Sequence, residues 1–128
     1  MGVSLRVLVV DDDEADRVLL RRALVRSDLG AIIEEVASIG AALARIASEP
    51  PLDCVIVDLH LPDGSPEDIV RIPARSFAVL VVTGLDRESL SSLAVITEAE
   101  ACFSKDEING PTVAGHVRAA VALRRESA

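Results

Sequence analysis

LVVDDD, residues 8–13, ends a nearly continuous apolar run that starts at Leu5, and it turns sharply acidic at its last three positions. An apolar run without alternation suits a strand covered on both faces, as inside a parallel sheet. Three further runs end in the same manner: CVIVD (54–58) on Asp58, VLVVT (79–83) on Thr83 and CFSK (102–105) on Lys105. If these runs are parallel neighbours, three carboxylates, a hydroxyl and an ammonium meet at one edge. That set can bind a divalent cation, accept a phosphoryl group on a carboxylate and neutralise the product.

Amphipathic stretches separate the runs. Ala15, Leu19 and Ala23, with Val18 and Leu24 beside them, recur at helical spacing to about Ser27, and Gly30 supplies a stop. Ile32 to Ala37 reads as a more polar strand suited to an edge. A helix from Ile39 to Ala47 is halted by Pro50 and Pro51. After the Asp58 strand a short helix spans roughly Pro66 to Ile72, closed by Pro73. Phe77 to Val82 forms the fourth strand. Asp86 caps a helix with Leu90, Leu93 and Ala94 on one face, and Ala101 to Ser104 forms the fifth strand. A last helix from about Pro111 to Arg125 carries Val113, Val117, Ala120 and Val121 on one side.

This alternation predicts an α/β fold, a doubly wound parallel sheet of five strands with helices on both faces, because crossovers between parallel strands are right-handed. Ligands of such sheets sit outside the carboxyl ends of the strands. All four chemically capable ends lie there.

With 128 residues the chain accommodates one domain, and its core must be built from aliphatic side chains because aromatics make up only 2%. A formal charge of −8 argues against direct binding of nucleic acid or an anionic membrane. No apolar stretch reaches the roughly 20 residues of a membrane span, and Met1 to Val10 lacks the features of a signal peptide, so a cytoplasmic protein is expected. Cys54 and Cys102 fall in separate strands without metal or redox spacing, which predicts two free thiols.

Asp11, Asp12 and Asp13 precede a helix, where acids cap free amides and complement the helix dipole. Capping accounts for one or two of them, and like charges crowded at a strand end call for a cation. Oxygen-only ligands suit Mg²⁺. Asp58 is either a turn residue before a Pro-Gly loop or a nucleophile. Thr83 is either a β-branched strand end or a donor to a phosphoryl oxygen, and Lys105 either a solvated lysine or a mobile point charge at the site. The His60 backbone carbonyl is in place to complete a metal shell, and His116 reads as solvated.

LVVDDD, the DLHLPDG loop (58–64), VVTG (81–84) and SKD (104–106) together resemble the receiver domain of bacterial two-component response regulators. The resemblance spans essentially the whole chain, residues 1–128 as a single domain, and implies the flavodoxin-like strand order 2-1-3-4-5. It implies that Asp58 takes a phosphoryl group from a sensor histidine kinase or phosphotransfer protein. Mg²⁺ would be held by Asp11, Asp12, Asp58 and the His60 carbonyl, with Thr83 and Lys105 on phosphoryl oxygens. It also implies a switching face built by the fourth helix, fifth strand and fifth helix, about Asp86 to Arg125, for a downstream protein or a homodimer.

Three positions depart from the family pattern. Cys102 replaces an aromatic three residues before the lysine, with Phe103 pointing to the other face. Asp106 follows the lysine in place of proline, and Pro66 stands where a glycine is usual. Two rival readings remain at this point. One is a small Mg²⁺-dependent phosphatase using Asp11 and Asp13, although the chain leaves no room for a substrate-selecting cap. The other is an interaction module that works without phosphorylation. A nucleotide or flavin domain fits least, since the first turn is acidic where a glycine-rich cradle is needed.

Overall fold

A computed structural model describes residues 4–84 and 98–127. In chain order its elements are β1 (Arg6–Val10), α1 (Glu14–Arg26), β2 (Ile32–Val36), α2 (Ile39–Ile46), β3 (Cys54–Asp58), α3 (Glu67–Val70), β4 (Ala78–Thr83), β5 (Ala101–Ser104) and a long last helix, α4 (Gly110–Ser127). The helix expected after Asp86, with Leu90, Leu93 and Ala94, lies outside the described residues. Among those described, the strands form one five-stranded parallel sheet in the order β2-β1-β3-β4-β5. This is the expected order, and β2 with its two glutamates takes an edge.

Strand periodicity sorts the core into two layers. Val7 and Val9 of β1, Ile56 of β3, Leu80 and Val82 of β4 and Phe103 of β5 point to the side covered by Leu20 and Leu24 of α1 and Val113, Val117 and Val121 of α4. Leu8, Val10, Val55, Val57, Val79 and Val81 point the other way, onto Ile39 and Ala42 of α2 and Ile69 of α3. Because β1, β3 and β4 are buried on both faces, their interior positions from Val7, Cys54 and Ala78 onward are apolar until the strands end. At the strand ends a polar side chain can replace an aliphatic one without disturbing a layer. Cys102 and Phe103 fall on opposite layers, as alternation requires. Cys54 and Cys102 are free thiols on strands separated by β4, and burial pushes the Cys102 thiol up to about 11.

Local boundaries differ from the sequence reading in four places. α1 buries Leu20, Ala23 and Leu24, whereas Leu19 is 51% exposed and Ala15 is exposed too. The core stripe keeps Ala23 and Leu24 of the expected set but takes Leu20 in place of Leu19 and leaves Ala15 out. That helix ends at Arg26 because the Ser27 hydroxyl donates to the Leu24 carbonyl at 2.6 Å, and Gly30, at φ +64°, instead turns the chain into β2. α3 is a single turn, shorter than Pro66 to Ile72. Pro66 starts it without a side-chain cap, and Ala74 at φ 57° reverses the chain after Pro73. His116 is not simply solvated: its ring stacks on Phe103 with centroids 4.9 Å apart.

A buried ion pair closes the amino-terminal edge of the sheet. Arg75 Nη1 lies 3.0 Å from both carboxylate oxygens of Glu100, with side-chain exposures of 4% and 7%. Arg75 also donates to the carbonyls of Val70 (3.0 Å) and Phe77 (2.7 Å), while Glu100 accepts the Val79 N–H at 2.8 Å. Arg124 of α4 donates to the Arg75 carbonyl. These bonds tie α3, β4, the start of β5 and α4 together. No helix among the described residues is long and apolar enough to cross a membrane.

Arg75→Met leaves the buried Glu100 carboxylate with the Val79 N–H and, as its remaining cation among the described residues, Arg124 at 3.5 Å, and should lower stability by about 3 kcal/mol. Arg71→Met removes only an exposed (i, i+4) pair with Glu67 and should cost under about 0.5 kcal/mol. Urea unfolding midpoints of the two variants check the contrast.

Candidate functional site

At the opposite, carboxyl edge the strand register brings the chemical residues together. Val10 of β1 pairs with Val57 of β3, so Asp11 and Asp58 emerge side by side. Asp58 pairs with Val82, and Thr83, one residue further along β4, pairs with Ser104 of β5, immediately before Lys105. Four strands therefore deliver their last residues to one place, and the short turn Lys105–Glu107 aims the lysine back over it. Asp11, Asp58 and Thr83 are buried, and Asp12 is exposed at the rim.

The three acids of LVVDDD divide the work. Asp13 is the N-cap of α1, accepting the Ala15 N–H at 2.8 Å and the Asp16 N–H at 3.4 Å. Asp11 uses Oδ1 to accept the Asp13 N–H at 2.9 Å, and its own N–H donates to the Val36 carbonyl of β2. Its Oδ2 is buried without a hydrogen-bond partner. Arg17 of α1 donates to the Asp11 carbonyl at 2.6 Å, which holds the backbone of the turn. Asp58 Oδ1 accepts the N–H of His60 at 3.4 Å, so the exposed His60 follows the acid around the start of the loop. Asp63, further along that loop, accepts the Ile39 and Gly40 N–H groups at 3.0 and 2.9 Å. It thereby pins the loop to the start of α2, and those two bonds hold its carboxyl below the usual range.

Lys105 stands among the carboxylates. Its Nζ lies 3.5 Å from Asp11 Oδ2, 3.5 Å from Asp58 Oδ2 and 2.5 Å from Asp16 Oδ2. Burial alone would pull the lysine pKa down, but the Asp16 hydrogen bond and the charges of Asp58, Asp11 and Asp16 drive it well up, so the group stays protonated. Asp11 shifts upward because burial, and the charges of Asp58 and Asp16, outweigh the Asp13 N–H and Lys105. Asp16 is the participant that the sequence reading missed. It lies in the first turn of α1, where an acid is ordinarily explained by the helix dipole.

Carboxylate oxygens of Asp11, Asp12 and Asp58 lie within 4.8 Å of one another. The site fits a hard divalent cation. It offers oxygen donors only, and the buried Asp11 Oδ2, which has no hydrogen-bond partner, presents an unused lone pair that a cation would accept. An isolated ammonium 3.5 Å away only partly offsets the crowded negative charge.

Since the folded state holds the Asp11 proton to higher pH than the unfolded state does, metal-free stability falls as pH rises from the ordinary carboxylate range through the raised pKa. Asp11→Asn should therefore raise the urea midpoint at pH 7 in the presence of a chelator. The gain should shrink as pH is lowered below about 4, where the wild-type carboxyl is protonated in both states. Added Mg²⁺ should narrow the difference at pH 7 by stabilising the wild type alone.

The profile of the response regulator receiver domain family matches residues 7–112. The KDP operon transcriptional regulatory protein KdpE of Escherichia coli is 34% identical over 124 residues, 95% of this chain and 52% of KdpE. A protein-glutamate methylesterase/protein-glutamine glutaminase of Anaeromyxobacter dehalogenans is 39% identical over 87 residues, 66% of this chain and 25% of its own length. The chain spans about half or less of the length of these relatives. Among solved structures, a CheY-like receiver domain protein from Methanospirillum hungatei superposes with a TM-score of 0.78 at 22% identity, covering 98% of this chain and 100% of that one. The receiver domain of a LuxO repressor homologue from Vibrio parahaemolyticus gives 0.77 at 24% identity, covering 98% and 95%. With the 2-1-3-4-5 sheet and the acidic carboxyl edge in place, the match over residues 7–112 makes this chain a member of the response regulator receiver family of two-component signalling.

Proposed function

We propose that residues 1–128 act as one phosphoacceptor domain in which Asp58 is the acceptor. Phosphoacceptance is general to the family. The observation that carries it to Asp58 is position: this carboxylate ends the central strand β3, beside Asp11, with Lys105 Nζ 3.5 Å from its Oδ2. The donor is a phosphohistidine on a sensor kinase or phosphotransfer protein. An Asp58 oxygen attacks phosphorus, an O–P bond forms as the P–N bond breaks, and the imidazole leaves, taking up a proton.

Asp11, Asp12, Asp58 and the His60 backbone carbonyl would hold Mg²⁺, and a bound Mg²⁺ screens the negative charge that otherwise keeps carboxylate and phosphoryl apart. Lys105 supplies a mobile positive charge to the transferred oxygens, and Thr83 a hydroxyl beside them. Such a domain modifies itself and does not turn over a separate substrate. Its readout is a protein contact, to a downstream partner or a second copy, through β5, α4 and residues from about Asp86 onward, part of which lies outside the described residues. A net charge of −8 favours protein over nucleic acid there. We place the protein in the cytoplasm, where such kinases present their phosphohistidine.

The phosphatase reading loses support at Asp13. Its carboxylate is spent on the N-cap of α1 and is turned away from the pair that a two-carboxylate hydrolase would need.

With Mg²⁺ and a small phosphodonor such as phosphoramidate, the intact mass of the wild type should increase by one phosphoryl group. Asp58→Asn or excess chelator should abolish the gain, and Thr83→Val should slow it by roughly tenfold, the net worth of one ordinary hydrogen bond. A wild-type mass that stays constant while a control receiver is labelled would favour the phosphorylation-independent reading, and loss through Asp11→Asn with Asp58→Asn unaffected would favour the phosphatase.

A further inference from the structure

Among the described residues the Lys105 ammonium has three carboxylates within reach; its short hydrogen bond goes to Asp16, and the one to Asp58 is stretched to 3.5 Å. It lies 2.5 Å from Asp16 Oδ2, on α1, and 3.5 Å from both Asp11 Oδ2 and Asp58 Oδ2, at the strand ends. Coulomb attraction alone would place a lone cation against the most buried pair, where screening is weakest. Asp11 and Asp58 are that pair, with side-chain exposures of 1% and 8% against 21% for Asp16. The ammonium nevertheless sits off them, and Asp11 Oδ2 remains without a hydrogen bond. Asp16 can do this because it is anchored independently. Its N–H is held by the Asp13 cap, and the Asp13 N–H in turn by Asp11 Oδ1, so the first turn of α1 is fixed relative to the strand end.

We propose that Asp16 is a positioning residue that regulates this site by holding the Lys105 ammonium clear of Asp11 and Asp58, which keeps both carboxylates open to a divalent cation. This rests on the reading of Asp11, Asp12 and Asp58 as metal ligands. Without Asp16 the lysine would settle onto Asp58 and Asp11, satisfy the unpartnered Oδ2 and compete with the cation for the same oxygens. Asp16 thus turns a lysine that would block the metal-free site into one parked beside it.

The test is Mg²⁺ affinity of the unphosphorylated protein by calorimetric titration, for wild type, Asp16→Asn, Lys105→Ala and the double variant. Asp16→Asn should weaken Mg²⁺ binding roughly fivefold, the effect of drawing a unit charge from 3.5 Å into hydrogen-bond contact at an intermediate effective dielectric. In the Lys105→Ala background the same substitution should change affinity by less than about twofold, because no ammonium is left to displace. The ¹⁵Nζ resonance of Lys105 should also shift in Asp16→Asn, a change that loss of a helix-dipole charge alone would not produce.

Equal losses in both backgrounds would mean that Asp16 acts only as a distant negative charge, and would overturn the proposal. So would an Asp16→Asn variant with a lower melting temperature and unaltered Mg²⁺ affinity, the signature of a purely structural first-turn acid. A wild type that binds no Mg²⁺ would overturn the metal reading together with this one. Wild-type binding that is lost in Asp58→Asn but unaffected by Asp16→Asn would sink this inference alone.

Discussion

Two carboxylates, Asp11 and Asp58, are forced next to each other where adjacent buried strands run out, and the surrounding structure answers that one electrostatic problem. The aliphatic layers on both sides leave them little water, and burial together with the charge of Asp58 raises the cost of ionising Asp11. Lys105 supplies one positive charge to three acids, which is too little to neutralise the cluster, and the deficit is a standing attraction for a divalent cation. The backbone N–H groups of Asp13 and His60, donating to Asp11 and Asp58, answer part of the remaining charge without removing it.

The rest of the fold serves to keep that arrangement rigid. Val, Leu and Ile side chains in two layers lock the register of β1, β3 and β4, and a slip of one residue would turn every side chain of β3, Asp58 included, to the opposite layer. At the far end of the sheet the Arg75–Glu100 pair, with Arg124, joins β4, β5 and α4 into one body. The carboxyl edge can therefore change charge while the amino-terminal edge stays fixed. Asp63 does a comparable job for the loop after Asp58, tying it to α2 through two backbone amides.

The departures from the family pattern fall at the readout more than at the chemistry. Cys102 packs on the α2–α3 side of the sheet, where it cannot act as a large ring that swings between inward and outward positions, and Phe103 is locked in the opposite layer under His116. Pro66 starts a helix of a single turn. The acidic pair, Asp58, Thr83 and Lys105 occupy the strand ends as in the general pattern.

Sequence alone determined the strands, their end residues and the side of the sheet on which the chemistry gathers. Unbroken aliphatic runs have one stable environment, and a polar side chain at the end of such a run can face only the carboxyl edge. It also separated Cys102 from Phe103, since alternation along a strand is geometric. Tertiary structure decided what periodicity leaves open. The phase of α1, with Leu20 inside and Leu19 out, depends on where the Asp13 cap starts the helix, and the solvated reading of His116 gave way to its stacking on Phe103. The partnership of Arg75 with Glu100 joins residues 25 positions apart. Asp16 is the clearest case: along the chain it is one more acid in a helix's first turn. Its hold on Lys105, 89 residues away, exists only because the folding of β5 beside β4 carries that lysine back over the first strand, a long-range juxtaposition that no local pattern encodes.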